Sequence, residues 1–249
     1  MGRLLAFLYG VVSYLVFFVT FLYAIGFVGN LVVPKSIDVG VPESSLGSTG
    51  WSRLAVNALL LAIFAVQHSV MARPEFKRVW TRVVPKAIER STYVLLSSLA
   101  LILLFWQWRP MWRTVWSVEN EAGRAVLWAL FALGWAMVLV STFLIDHFEL
   151  FGLRQVWLNL RGREYTHVPF VKRLFYKVVR HPIMLGFIIA FWATPHMTVG
   201  HLLFAAMTTA YIVFAIQLEE RDLVGFHGQA YEDYQREVSM LIPLPKGRR

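Results

Sequence analysis

Three groups of ionisable side chains stand where an apolar chain should not tolerate them: Gln67-His68-Ser69, Asp146-His147-Phe148-Glu149, and Arg180-His181-Pro182 together with Glu219-Glu220. Each closes or opens a long hydrophobic run, where a titratable group is costly and marks a functional position by default. Histidine beside a carboxylate is a pairing that moves protons near neutral pH. Asp146 with His147, and His68 on an earlier run, are therefore the candidates for proton transfer. Adjacent helical residues do not face each other, so Asp146 supports His147 only if the helix stops there. A plainer reading stands beside each: His68 as an interfacial histidine satisfied by a carbonyl, and Asp146 with His147 solvated at a membrane surface. Ser69 lacks the surroundings of an activated nucleophile and is read as bonding its own helix backbone. The seven histidines are widely spaced, with no HxxxH or HExxH pair, so no metal site is expected. Cysteine is absent, which removes disulfides, thiolate ligands and cysteine nucleophiles from consideration.

The elements that carry these groups follow from composition. Hydrophobic residues make up 57% of the 249 and charged ones 16%, too little polar surface to cover a water-soluble fold. A helix crosses the hydrocarbon core with about 20 apolar residues, and four segments qualify: about Leu4 to Val33, Leu54 to Val70, Thr92 to Trp108, and Arg124 to Ile145. A fifth apolar stretch, Ile183 to Leu218, is too long for one span and is interrupted near Thr194-Pro195-His196. Proline removes a backbone donor there and predicts a helical hairpin with a short first arm. The first run resembles a secretory signal but is too long for one and lacks a small-residue cleavage site, so it is read as a retained span, with a signal peptide as the alternative. The tail from Glu219 places Leu223, Phe226, Ala230 and Tyr234 at helical spacing and reads as an amphipathic helix.

The expected fold is thus all-α: a polytopic membrane helix bundle of four full spans and a C-terminal helical hairpin, with a cytoplasmic amphipathic tail. It is read as one membrane domain over 1–249, with the spans in 1–146 and the hairpin and tail in 147–249. The net charge of +9 lies in short loops and forms no stripe for nucleic acid. Six basic residues fall between Arg73 and Arg90 and seven between His147 and Arg180, against Lys35 alone between Pro34 and Trp51. That asymmetry puts both rich loops, the N-terminus and the tail in the cytoplasm.

The segment LFYKVVRHPIMLG, followed by a hairpin and EERDLVGFHGQAYEDYQREV, resembles the isoprenylcysteine carboxyl methyltransferase-like superfamily of integral-membrane methyltransferases. Tyr176, Arg180, His181, Pro182 and Gly186 match the first half of that pattern; Glu219, Glu220, Leu223, Gly228, Tyr231 and Tyr234 match the second. Met184 stands where the superfamily usually has tyrosine, and His227 where it usually has phenylalanine. Ala215 replaces the arginine that prenylcysteine enzymes carry, which argues against a prenylcysteine acceptor. The resemblance implies S-adenosylmethionine as cofactor, with S-adenosylhomocysteine as product, held by Tyr176, Arg180, His181, Pro182, Met184, Gly186, Glu219 and Glu220. Carboxylates suit its cationic groups, and arginine with a helix start suits its carboxylate.

QHSVMARPEFK and DHFELFGLRQVW look like segments of the bacterial methanethiol S-methyltransferases, which make dimethyl sulfide. That resemblance alone implies a small thiol as acceptor. His147, supported by Asp146, and His68 are then expected to deprotonate it, at a site facing the cytoplasm of a bacterial inner membrane. The competing expectations are methylation of another small or lipid acceptor, a nicotinamide-dependent membrane reductase, and a non-enzymatic membrane protein of the NnrU type. The bilayer is the one macroscopic partner expected; oligomeric state is not legible.

Overall fold

With no water to satisfy its backbone, a chain in lipid must close its hydrogen bonds internally, and helices do so segment by segment. The computed structural model describes residues 2–40, 50–166 and 172–243, and it is mostly helical. Among the described residues five helices are long and apolar enough to cross a membrane: α1 (Arg3–Gly29), α2 (Gly50–Ala72), α4 (Lys86–Gln107), α5 (Glu121–Ile145) and α9 (Val199–His227). The protein is an integral membrane protein. Shorter helices lie between and after them: α3 (Pro74–Trp80), α6 (His147–Leu150), α7 (Leu153–Leu160), α8 (Pro182–Trp192) and α10 (Gln229–Glu237).

Local chemistry sets the helix limits. Asn30 adopts a left-handed conformation at φ 55° and caps α1, so this helix stops short of the Val33 expected from hydropathy. Asn120 begins α5 by accepting a hydrogen bond from the Gly123 N–H at 2.6 Å. Proline opens α3 and α8, where its missing N–H would be unpartnered in any case. The break at residues 193–198 is where proline placed it, but the chain there is not a simple turn: β1 (Thr114–Ser117) and β2 (His196–Thr198) form a two-stranded sheet.

The tail departs further from its expected form. α9 runs through Glu219 and Glu220 to His227, and Gly228 at φ 58° separates it from a nine-residue α10. The seam is Leu223, Val224, Tyr231, Tyr234 and Val238; Phe226 is exposed. Gly228 interrupts the helical spacing through residues 223–234: Leu223 and Tyr234 of the expected stripe are in the seam, while Phe226 and Ala230 are exposed and Tyr231 takes a buried place instead.

The chain divides into two compact units, Met1–Val115 with His147–Val168 and Thr198–Leu203, and Trp116–Asp146 with Pro169–Met197 and Phe204–Arg249. In the first, α1, α4 and α7 meet through Ala6, Ile88 and Val156. Gly10 allows this approach, since a Cβ there would lie 2.5 Å from Val156. The starts of α1 and α4 and the segment after α5 therefore share one end of this unit. The opposite end is closed by polar groups: Asp38 accepts from Asn30 and Thr198, Trp112 donates to the Asp38 carbonyl, and Asn57 exchanges two hydrogen bonds with the Arg109 backbone.

In the second unit α5 and α8 pack almost backbone to backbone. A Cβ on Gly134 would come within 2.7 Å of the Gly186 carbonyl, and one on Gly186 within 2.7 Å of the Gly134 carbonyl. Small residues of this kind let membrane helices gain dispersion contacts that lipid cannot supply. Trp135 packs edge-on to Phe187 and Phe191 beside that crossing. Ile212, Ile216 and Leu241 receive Met184 and Ile188 on the other side of α8.

Candidate functional site

The second unit assembles the motif residues of the hairpin around one carboxylate. Glu220, on α9, accepts from Arg180 Nε at 2.7 Å, Arg180 Nη2 at 3.1 Å and Gln235 Nε2 at 2.9 Å, and its Oε1 lies 2.9 Å from His181 Nε2. Arg180 also donates through Nη1 to the carbonyls of Gln235 and Val238. Four of its five N–H groups are thereby engaged. The backbone joins in: the N–H groups of Arg180 and His181 donate to the carbonyls of Ser239 and Met240. The RHP segment, α9 and the end of α10 are thus fastened through a side-chain pair that is nearly buried.

Tyr176 is buried below this cluster. Its carbonyl accepts the Tyr234 hydroxyl at 2.6 Å, and its own hydroxyl donates to the Ser141 carbonyl at 3.4 Å. Burial, reinforced by Glu219 and Tyr234, pushes the Tyr176 phenol well up; burial pushes Tyr234 up to about 12. Both stay protonated and act as donors. Pro182 starts α8, Gly186 serves the α5 crossing, and Met184 packs in the cluster with Ile212.

Glu219 differs from its neighbour. Its side chain is 46% exposed and lies 3.6 Å from His181 Nδ1, so it has capacity left for a ligand. A cavity of about 300 Å³ opens next to Glu220, lined by Gln217, Arg221, Val224 and Gln235.

The first unit holds two histidines, each joined to a tyrosine of a neighbouring helix. His147 is 5% exposed at the start of α6, and its Nε2 lies 2.9 Å from the Tyr14 hydroxyl of α1. Phe151 flanks it edge-on at 4.9 Å. His68, on α2, has its Nε2 2.8 Å from the Tyr93 hydroxyl and its Nδ1 3.2 Å from Ser97 Oγ, both on α4, with Phe64 stacked on the ring. Phe17 and Phe151 stack at 3.8 Å and pack on the cluster of Met71, Tyr93 and Val94. The two histidine pairs are therefore separated by a shared aromatic partition.

Glu149 accepts from Arg154 at 3.0 Å and from the Tyr165 hydroxyl, closing the segment after α6. Burial, then that bond to Glu149, pushes Tyr165 up to about 12. Asp146 belongs to the second unit, where it ends α5 with extended backbone and donates its N–H to the Thr142 carbonyl. The helix is interrupted at Asp146, between the end of α5 at Ile145 and the start of α6 at His147. Among the described residues no three of His, Asp and Glu converge as a metal-ligand set.

A family model described as NnrU protein matches residues 57–241. A methanethiol S-methyltransferase of Mycobacterium tuberculosis is 60% identical over 245 residues, 98% of each chain. Another, from Crocosphaera subtropica, is 54% identical over 98% of this chain and 94% of its own. This chain belongs to the methanethiol S-methyltransferase family. Nurim of Rattus norvegicus is a more distant relative, 28% identical over 81% of this chain and 83% of its own. No solved structure matches.

Several residues of this member of the methanethiol S-methyltransferase family escape a reading of the sequence. Tyr14 and Tyr93 lie within apolar spans, where an aromatic residue gives no signal of a polar task. Gln235 sits in a charged tail where one more amide carries no information. Arg90 reads as one of six basic residues in a loop, yet it caps the face of Tyr93 at 5.2 Å.

Proposed function

We propose that this protein transfers a methyl group from S-adenosylmethionine to a small thiol, methanethiol, giving dimethyl sulfide and S-adenosylhomocysteine. The observation that carries the reading is 60% identity, over 98% of both chains, to a protein named for that reaction. The residues of the second unit fit the donor. Glu219 offers a half-exposed carboxylate for an ammonium group, and Gln217 and Arg221 line the cavity beside Glu220 with a donor set suited to a carboxylate and hydroxyls. Arg180, His181, Glu220, Gln235 and Tyr176 hold that surface in shape, with Pro182, Met184 and Gly186 fixing the helix that starts there. When bound, the cofactor supplies a methyl group made electrophilic by its sulfonium.

The acceptor must also be deprotonated. An alkyl thiol is mostly protonated at neutral pH, with a pKa at or above the roughly 8.5 of a free cysteine. In the proposed step His147 accepts the thiol proton, with the Tyr14 hydroxyl 2.9 Å from its Nε2 orienting the ring. The thiolate sulfur forms the new bond to carbon as the bond from that carbon to the donor sulfur breaks, its electron pair remaining on the donor. His68, bound by Tyr93 and Ser97, is the second candidate base, and Asp146 the residue that sets the backbone break before His147. The distribution of Lys and Arg supports a cytoplasmic site in a bacterial inner membrane.

The test is incubation of detergent-purified protein with labelled S-adenosylmethionine and a panel of thiols, phospholipid amines and prenylcysteines, with analysis of volatile products. Labelled dimethyl sulfide is expected from methanethiol. Transfer to a lipid or prenylcysteine instead, or binding of neither cofactor form in calorimetry, would overturn the reading.

A further inference from the structure

Arg90 lies on α4 between the two histidine pairs. Its Nε donates to the Leu150 carbonyl at 2.8 Å, and its guanidinium stacks over the Tyr93 ring. One side of it thus reaches α6, which carries His147, and the other reaches the tyrosine bonded to His68. Among the described residues its two terminal amino groups have no hydrogen-bond partner, while the nearly buried Arg180 has four of its five N–H groups engaged. An arginine fixed by one nitrogen and a ring, with its fork open, is arranged to receive an anion. A second polar group with unused capacity lies in the same neighbourhood: Gln67 Oε1 is buried without a partner, and its amide nitrogen rests on Met71, which packs with Tyr93.

We infer that Arg90 is the residue that holds the acceptor in its thiolate form, with its open guanidinium N–H groups directed at the sulfur. This rests on the proposed thiol methylation. A small acceptor offers few atoms to grip, so its ionised sulfur is the natural handle, and a fixed cation favours that form over the neutral thiol. The charged and titratable groups around Arg90 leave its charge available. Glu89 is its neighbour in the chain but points elsewhere on the helix. Glu149 is engaged by Arg154 and Tyr165, and Tyr165 stays neutral. His68 and Arg73 add no negative charge. Tyr93 presents the face of its ring.

The experiment uses full-length protein in a detergent free of anionic phospholipid, with methanethiol, S-adenosylmethionine and the variants Arg90→Gln and Arg90→Lys. For the wild type, kcat/KM for the thiol should rise through an apparent pKa below that of the free thiol. Arg90→Gln should move that pKa upward and lower kcat/KM at pH 7 about 10–100-fold, with recovery at high pH, while S-adenosylhomocysteine binding in calorimetry is unchanged. Arg90→Lys should retain most of the profile. Thiocyanate, a small sulfur anion, should compete with methanethiol in the wild type and not in Arg90→Gln. If Arg90→Gln fails to fold, the thiocyanate competition of the wild type and the profile of Arg90→Lys decide. An unaltered pH profile in Arg90→Gln, or thiocyanate without effect on the wild type, overturns the inference. Wild-type protein that methylates no thiol defeats the proposed function instead. Loss of activity in Arg90→Gln that anionic vesicles restore, with no pH shift, would make Arg90 a lipid-headgroup contact and also overturn it.

Discussion

Replacing Glu220 with alanine strands Arg180 in a nearly buried position. The side chains are 7% and 11% exposed, and four hydrogen bonds converge on the carboxylate. Charge-assisted hydrogen bonds contribute about 1.5–3 kcal/mol each, but a simple sum overstates the loss, because Arg180 keeps its two carbonyl acceptors and His181 keeps Glu219 nearby. Breaking a buried pair from one side costs about 3–5 kcal/mol. The retained contacts place Glu220→Ala near the lower end, about 3 kcal/mol, or roughly a hundredfold in the folding equilibrium. Glu220→Gln keeps shape and one acceptor and should cost about half as much. Equilibrium unfolding in mixed micelles, followed by tryptophan fluorescence, measures both. The double variant Arg180→Met/Glu220→Ala closes a thermodynamic cycle and should recover part of the loss, since no charge is then left without a partner. Glu220→Ala within about 0.5 kcal/mol of wild type, or single effects that add to within that margin, would refute the account of this cluster as a clasp.

Gly186→Ala should destabilise by about 1–3 kcal/mol in the same assay, because its Cβ would meet the Gly134 carbonyl; Gly2→Ala, which meets nothing, should be silent. His147→Asn should lower kcat/KM for methanethiol about 10²–10⁴-fold with cofactor binding intact, and Tyr14→Phe should leave folding largely unchanged while broadening the pH profile through loss of the contact that orients the ring. Stability should fall between about pH 10 and 12, because the folded state holds protons on Tyr165 and Tyr234 that the unfolded chain releases near 10. Tyr165→Phe should flatten part of that decline; a transition unaltered in steepness would show that this hydroxyl does not contribute to it.

The spans were legible because length and hydropathy are the conditions of crossing a bilayer, and α1, α2, α4 and α5 lie where those conditions put them. Their ends were less so, since Asn30 ends α1 by its own backbone conformation within a run that remains apolar to Val33. The motif residues Arg180, His181, Glu219 and Glu220 were recognisable as a set, and the chain does bring them together. Their division of labour was not: neighbours in sequence, Glu219 and Glu220 differ in exposure by which way each points from α9, a property fixed by Arg180 and Gln235 from other segments. Tyr14 and Tyr93 illustrate the remaining gap. An aromatic ring in a span is ordinary until a distant histidine arrives at its hydroxyl, and that pairing depends on tertiary register.

The broken first arm of the hairpin bears on how the chain enters the bilayer. An 11-residue α8 rises about 16 Å, near half the hydrocarbon thickness, and non-helical backbone follows it. Thr194 and Pro195 find donors in Trp116 and Val118, at 3.2 and 2.8 Å. Those donors are supplied by a segment translated some 80 residues earlier. The arm is therefore a poor substrate for insertion on its own. It becomes stable once α5 offers Gly134 to Gly186 and the 116–118 segment covers its open end, so residues 182–198 should be among the last to acquire protection from hydrogen exchange during assembly.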